Sequence, residues 1–170
     1  MDTTSRRKKV LDRITKTEAP LSASTLAKVF DVSRQVIVGD VAILRAEGHE
    51  IMATARGYVL STTQETGQFI GRVACQHTLE ETVEELYAIV DLNATVMNVI
   101  VEHKIYGEIT GNLNLSTRED VDLFMDRIRS SETKLLSNLT DGIHLHTLAC
   151  RDKSHFEEVK QALRKHNFLY

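Results

Sequence analysis

The apolar pattern of this chain changes period once, across a short polar stretch at residues 61–68 (STTQETGQ). Before that stretch apolar residues recur at helical spacing. After it, runs rich in β-branched residues alternate with helical segments. A change of period at a polar, glycine-containing break divides a chain into two folding units joined by a linker. The boundaries implied are a head at 1–60, a linker at 61–68 and a body at 69–170. A unit of about sixty residues has a small core and gains from a docked neighbour or a second copy.

In the head, Val10, Leu11 and Ile14 form the stripe of a helix over 5–16. Ser22 suits the cap of a second helix, and Leu21 with Leu26 has the spacing of a hydrophobic staple. A third helix opens at Ser33, buries Ile37, Val41 and Leu44, and stops at Gly48. Two short strands follow, near 50–53 and 57–60, around Ala55 and Arg56. Gly39, in the middle of the third helix, costs about 1 kcal/mol relative to alanine, and the sequence offers no compensation for it.

The body predicts the order β-α-β-β-α-β-α, the split βαβ pattern of a ferredoxin-like sandwich with one extra helix. The strands fall at 69–77, 95–103, 105–115 and 143–150. Thr78 with Glu81, Ser116 with Glu119 and Ser154 with Glu157 have capping-box spacing before the three helices. The first of these presents Leu79, Val83, Leu86 and Val90 to the core, the second Val121, Phe124 and Ile128, the third Phe156, Val159 and Leu163. The fold class is α+β, a winged helix-turn-helix followed by an α/β sandwich.

Charge divides along the same line. Residues 1–60 carry ten Lys/Arg against seven Asp/Glu, and residues 61–170 eleven against seventeen. A basic head on an acidic body directs only the head toward a polyanion. In a winged helix-turn-helix the second helix of the pair enters the major groove by its N-terminal end. Ser33, Arg34 and Gln35 stand there: arginine suits guanine, glutamine suits adenine, and a serine at a helix start suits phosphate. Arg6, Arg7, Lys8 and Lys9 suit backbone phosphates, and Arg56 lies at the tip of the wing. The partner expected is a double-stranded DNA operator. No run approaches the roughly 18 apolar residues of a membrane span. No apolar segment follows the basic N-terminus as in a secretory signal. Cys75 and Cys150 lack CxxC spacing, so a reducing cytoplasm is expected.

The body carries metal-type side chains. His144 and His146 stand two apart on a strand, so both imidazoles project from one face. His77 ends another strand, and Glu85 lies eight positions on, in the following helix. Imidazoles with one carboxylate suit zinc, iron or nickel rather than magnesium or calcium. Glu85 also belongs to an acidic cluster with Glu80, Glu81 and Glu84, which fits a solvated helix face equally well. Cys75 and Cys150 share the strand parity of His77 and His146, so each either approaches the metal or is a small buried residue. His49, His155 and His166 fit surface or partial-core positions.

The string ARGYVL after LRAEG resembles the winged heads of biotin-operon repressors. VEHKIYGEI at 101–109, LLSNLTDGIHLHT at 135–147 and the His77 strand resemble the three-histidine (3H) domain of niacin-responsive repressors of Gram-positive bacteria. That resemblance implies a divalent transition metal ion (zinc, nickel or iron) on His77, Glu85, His144 and His146. It implies nicotinic acid as co-repressor of NAD-synthesis or niacin-uptake genes, with His103 at the ligand; apolar and tyrosine side chains such as Tyr106 are expected to cover its ring. A homodimer with one head on each half-site is expected, since a single head of about sixty residues reads too few base pairs for tight specificity. Two other readings are a regulator for which the metal itself is the signal, and a metal-dependent hydrolase with a DNA-binding appendage.

Overall fold

A computed structural model describes residues 2–61, 67–132 and 134–170; residues 62–66 of the expected linker lie outside them. The chain divides into two compact units, Met1–Gln64 and Glu65–Tyr170.

The first unit has three helices, α1 (Thr3–Lys16), α2 (Ala23–Phe30) and α3 (Arg34–Ala46), then a ribbon of β1 (Ile51–Thr54) and β2 (Gly57–Leu60). Each helix starts on a side-chain cap, which satisfies amides that have no partner within the helix. Asp2 accepts from Thr4 and Ser5, Ser22 from Thr25, and Ser33 from Val36. The Asp2 cap sets the start of α1 at Thr3 rather than near residue 5. Val10, Ile14, Leu26, Ile37, Val41, Leu44 and Ile51 fill one core. The ribbon is tied to the chain before α2 by the pairing of Leu21 with Tyr58. Gly57 permits this: at φ +137°, a Cβ there would lie 2.5 Å from the Leu21 carbonyl carbon. Gly39 is exposed with open space around it, and nothing in the structure explains it.

The second unit runs β3 (Phe69–Gln76), α4 (Thr82–Val90), β4 (Thr95–His103), β5 (Gly107–Leu115), α5 (Arg118–Ser130), a 3₁₀ turn (Leu136–Thr140), β6 (Ile143–Cys150) and α6 (Lys153–Lys165). The element order is as the sequence predicts, and the class is α+β. The strand order differs from the ferredoxin-like expectation. The sheet runs β3-β6-β4-β5 with every neighbouring pair antiparallel. A ferredoxin-like sheet has its first and third strands at the centre; here the second and fourth, β4 and β6, are central. Strand β6 is inserted between β3 and β4, so both faces of its register are fixed by neighbours. Helix α4 packs against both α5 and α6.

The caps of the body are shifted from those expected. Helix α4 begins at Thr82, although the Glu81 carboxylate does reach back to the Thr78 amide at 2.8 Å. Leu79 therefore falls outside the helix and is 49 % exposed, while Thr82 and Glu85 take core positions. Helix α5 is boxed by Thr117 and Asp120, one residue later than expected. Helix α6 is capped by Asp152, two residues earlier.

Candidate metal centre

His144 and His146 lie on β6, whose antiparallel register sets Cys75 opposite His144 and Val73 opposite His146. The two imidazoles share the face beneath α4. His77 follows β3 directly. Its approach is secured by Gly142 at φ +86°, where a Cβ would lie 2.5 Å from the His77 carbonyl oxygen. Beyond His77 the chain end runs along β3: Gln76 donates to the Phe168 carbonyl and Tyr170 to the Ala74 carbonyl. The Phe168 ring packs edge-on against His77.

The three imidazoles converge on one carboxylate. His77 Nε2 lies 2.5 Å from Glu85 Oε2. His144 Nε2 and His146 Nε2 each lie 3.0 Å from Glu85 Oε1. All four side chains are nearly excluded from solvent, at 1–4 % exposure. This spacing is possible because Glu85 occupies a core position on α4 above the two β6 histidines.

The outer nitrogens define the chemistry. His77 Nδ1 donates to the Thr78 carbonyl, His144 Nδ1 to the Gly142 carbonyl and His146 Nδ1 to the Asn98 carbonyl, each at 2.8 Å. A carbonyl only accepts, so each Nδ1 carries a proton and each Nε2 presents its lone pair inward unless a second proton is added. Three lone pairs then face a carboxylate that also only accepts. Protons relieve part of this conflict. Burial opposes charge on His77 and His146, yet the Glu85 carboxylate holds both imidazoles above their usual value. Burial likewise opposes the Glu85 charge, but the His146 imidazole and the neighbouring histidines keep its carboxyl well below the usual carboxylate range. One carboxylate charge cannot balance both a His77 and a His146 imidazolium. His146 Nε2 shows the shortfall, since it lies 3.0 Å from Glu85 Oε1 and still makes no hydrogen bond. A divalent cation satisfies all four groups at once. Carbonyl-anchored imidazoles with inward Nε2 lone pairs are the usual second-layer arrangement of histidine metal sites. The residues fit a transition metal.

Cys75 belongs to the same neighbourhood. Its sulfur, one Glu85 oxygen and one His144 nitrogen lie within 4.8 Å of one another. Burial first, and then the Glu85 charge, raises its thiol well above the usual value, so the sulfur is protonated beside the metal-free cluster. Cys150, at the far end of β6, is buried in the core.

A small cavity of about 30 Å³ adjoins the cluster. His77, Glu85, His144 and His146 line one side, and Thr82, Leu86, Val99, Phe124, Leu135 and Ser137 contribute to the rest. Sequence reasoning missed Thr82, which no motif marks, and gave Leu135–Ser137 no role at the site although they open the string at 135–147. His103 and Tyr106 are not brought to this place. They shape the β4–β5 hairpin, with His103 Nδ1 accepting from the Ile105 and Tyr106 amides, and Tyr106 is 76 % exposed. His155, expected at the surface or partly in the core, is buried. It accepts from the Arg151 amide and donates to the Leu92 carbonyl.

In the head, Arg34 and Gln35 are exposed on the first turn of α3. Ser33 is engaged as the α3 cap. Lys8 and Lys9 are exposed and Arg7 half-buried on α1. Arg56 lies at the turn between β1 and β2. Arg6 departs from expectation. Its guanidinium holds both oxygens of Asp40, at 2.6 and 3.1 Å, and so braces α1 against α3 instead of standing free for phosphate.

A helix-turn-helix unit with a wing, followed by a body whose sheet carries a buried three-histidine cluster, has the two-part build of a DNA-binding regulator. Comparison with known proteins makes the class specific. An HTH-domain model matches residues 6–59, and the 3H-domain model matches residues 70–170. The chain is 40 % identical over 166 residues to transcription repressor NadR of Bacillus subtilis, covering 96 % of this chain and 92 % of that one. It is 38 % identical over 164 residues to the probable transcription repressor NiaR of Thermotoga maritima, covering 96 % and 93 %. The chain belongs to this family of transcription repressors with an HTH head and a 3H domain. The hydrolase alternative is set aside, since the relatives bear the names of transcription repressors.

Proposed function

We propose that this protein is a homodimeric, DNA-binding repressor that takes nicotinic acid as co-repressor at a metal centre formed by His77, Glu85, His144 and His146. The observation that carries this reading is the convergence of three carbonyl-anchored imidazoles on one buried carboxylate. A metal held there supplies a positive charge and open coordination for a carboxylate or a pyridine nitrogen. The protein supplies the rest: Nδ1 bonds to backbone fix the ring orientations, and Leu86, Val99 and Phe124 keep water from the site. The regulated genes would be those of NAD synthesis or niacin uptake.

The exposed first turn of α3, with Arg34 and Gln35, enters the major groove, and Lys8 and Lys9 meet phosphates. Two copies read two half-sites, because one sixty-residue head contacts too few base pairs for tight specificity. Nicotinate acts by binding the DNA-competent state better than the other state, the only way a ligand shifts an equilibrium.

One observation favours a second reading, in which the metal itself is the signal. The cavity beside the cluster has room for about one water and not for an aromatic ring. Operator binding by fluorescence anisotropy separates the two, using DNA selected by the protein from a random pool. The co-repressor reading expects metal-loaded protein to bind about 5- to 150-fold more tightly with nicotinate. An affinity that follows metal and ignores nicotinate supports the second reading and removes the first.

A further inference from the structure

The cavity beside the cluster holds a second unsatisfied group. Thr82 is 6 % exposed and lines the same space as Glu85, His144 and His146. Its Oγ1 has no hydrogen-bond partner, as His146 Nε2 has none. A buried hydroxyl left unpaired is costly, and a threonine in a first helical turn has easier solutions, such as a cap bond. With His146 Nε2 assigned to the metal, Thr82 Oγ1 is the orphaned polar atom left on the wall of this cavity, and it marks the place of an absent polar partner.

The surroundings indicate its chemistry. Thr82 is the first residue of α4, whose N-cap residue Glu81 makes no side-chain cap bond. The helix start therefore presents partial positive charge that favours an acceptor. Leu86, Val99, Leu113, Phe124, Leu135 and Leu136 make the remaining walls apolar. The Glu85 carboxylate would repel an anion in the metal-free cluster, so an anionic occupant depends on the metal charge.

We infer that Thr82 Oγ1 is the hydrogen-bond donor that anchors one carboxylate oxygen of a small aromatic acid beside the metal centre. The inference rests on the co-repressor reading above and assigns its ligand a contact on α4, one helical turn before Glu85. The present cavity admits the carboxylate alone. Entry of the ring requires this cavity of about 30 Å³ to widen on binding.

The test is calorimetric titration of nicotinate into metal-loaded, full-length wild type, Thr82→Val and Thr82→Ser, with metal content measured by elemental analysis. Thr82→Val preserves shape and removes the donor; it should bind nicotinate about 10- to 100-fold more weakly at unchanged metal content, as for loss of a hydrogen bond to a charged group. Thr82→Ser should regain most of the affinity. Wild-type affinity in Thr82→Val overturns the inference while the co-repressor reading stands. Loss of metal together with nicotinate in Thr82→Val also overturns it, by making Thr82 a support of the cluster. No nicotinate binding by the wild type removes the co-repressor reading and the inference with it.

Discussion

The two units place their polar chemistry in opposite settings. In the head, Arg34, Gln35, Lys8 and Lys9 are exposed. In the body, His77, Glu85, His144 and His146 are withdrawn from solvent and depend on one another for charge balance and orientation. Exposed groups read a partner that arrives, and their contributions add. Buried groups form a single unit that fails together, because each desolvated charge needs all the others.

The largest effect should follow from removing the hub. Glu85→Ala leaves buried imidazoles without their counter-charge and should cost about 3–5 kcal/mol of body stability in metal-free protein near pH 6, read by denaturant unfolding. It should also abolish metal retention. A loss below about 1 kcal/mol would show that the cluster is not coupled.

A pH series separates stability from metal affinity. His77 and His146 are raised above 6.5, so the stability they add is complete below that pH and is lost as pH rises through their raised values. Glu85 is lowered below 4.5, so its contribution is complete above that pH and is lost as pH falls through the lowered value. The metal-free body should therefore be most stable in mildly acidic solution and weaken above neutrality. Metal affinity should run the other way, rising about tenfold per pH unit for each proton displaced from the imidazoles. Parallel trends in melting and metal titration would break this account.

In the head the effects should be smaller and separable. Arg34→Ala should cost about 1–3 kcal/mol on the selected operator and much less on random DNA. Lys9→Ala should weaken both alike and lower the salt-dependence slope by about one. Anisotropy titrations at several salt concentrations distinguish the two. Identical behaviour of both variants would mean that α3 does not read bases.

The sequence shows the metal-type side chains unevenly. His144 and His146 were legible as a pair because strand periodicity places residues two apart on one face. Glu85 was ambiguous, since in sequence it is one of four clustered glutamates and only the position of α4 makes it the buried one. The start of α4 was misread because Thr78 and Glu81 do form half of a capping box, one turn before the helix proper. The insertion of β6 between β3 and β4 has no local signal; it depends on pairing between distant segments. Arg6 looked free within a basic run because its partner, Asp40, lies 34 residues away. Thr82 was invisible for the same reason, since an unpaired hydroxyl is a tertiary fact.

In the proposed repressor, ligand binding in the buried cluster and DNA binding by the exposed head are coupled. Linkage makes that coupling reciprocal. The direct measurement is the nicotinate Kd of metal-loaded protein, alone and saturated with operator DNA. The account predicts that operator tightens nicotinate binding by the same factor, about fivefold or more, by which nicotinate tightens operator binding. Equal nicotinate affinity with and without operator would contradict it.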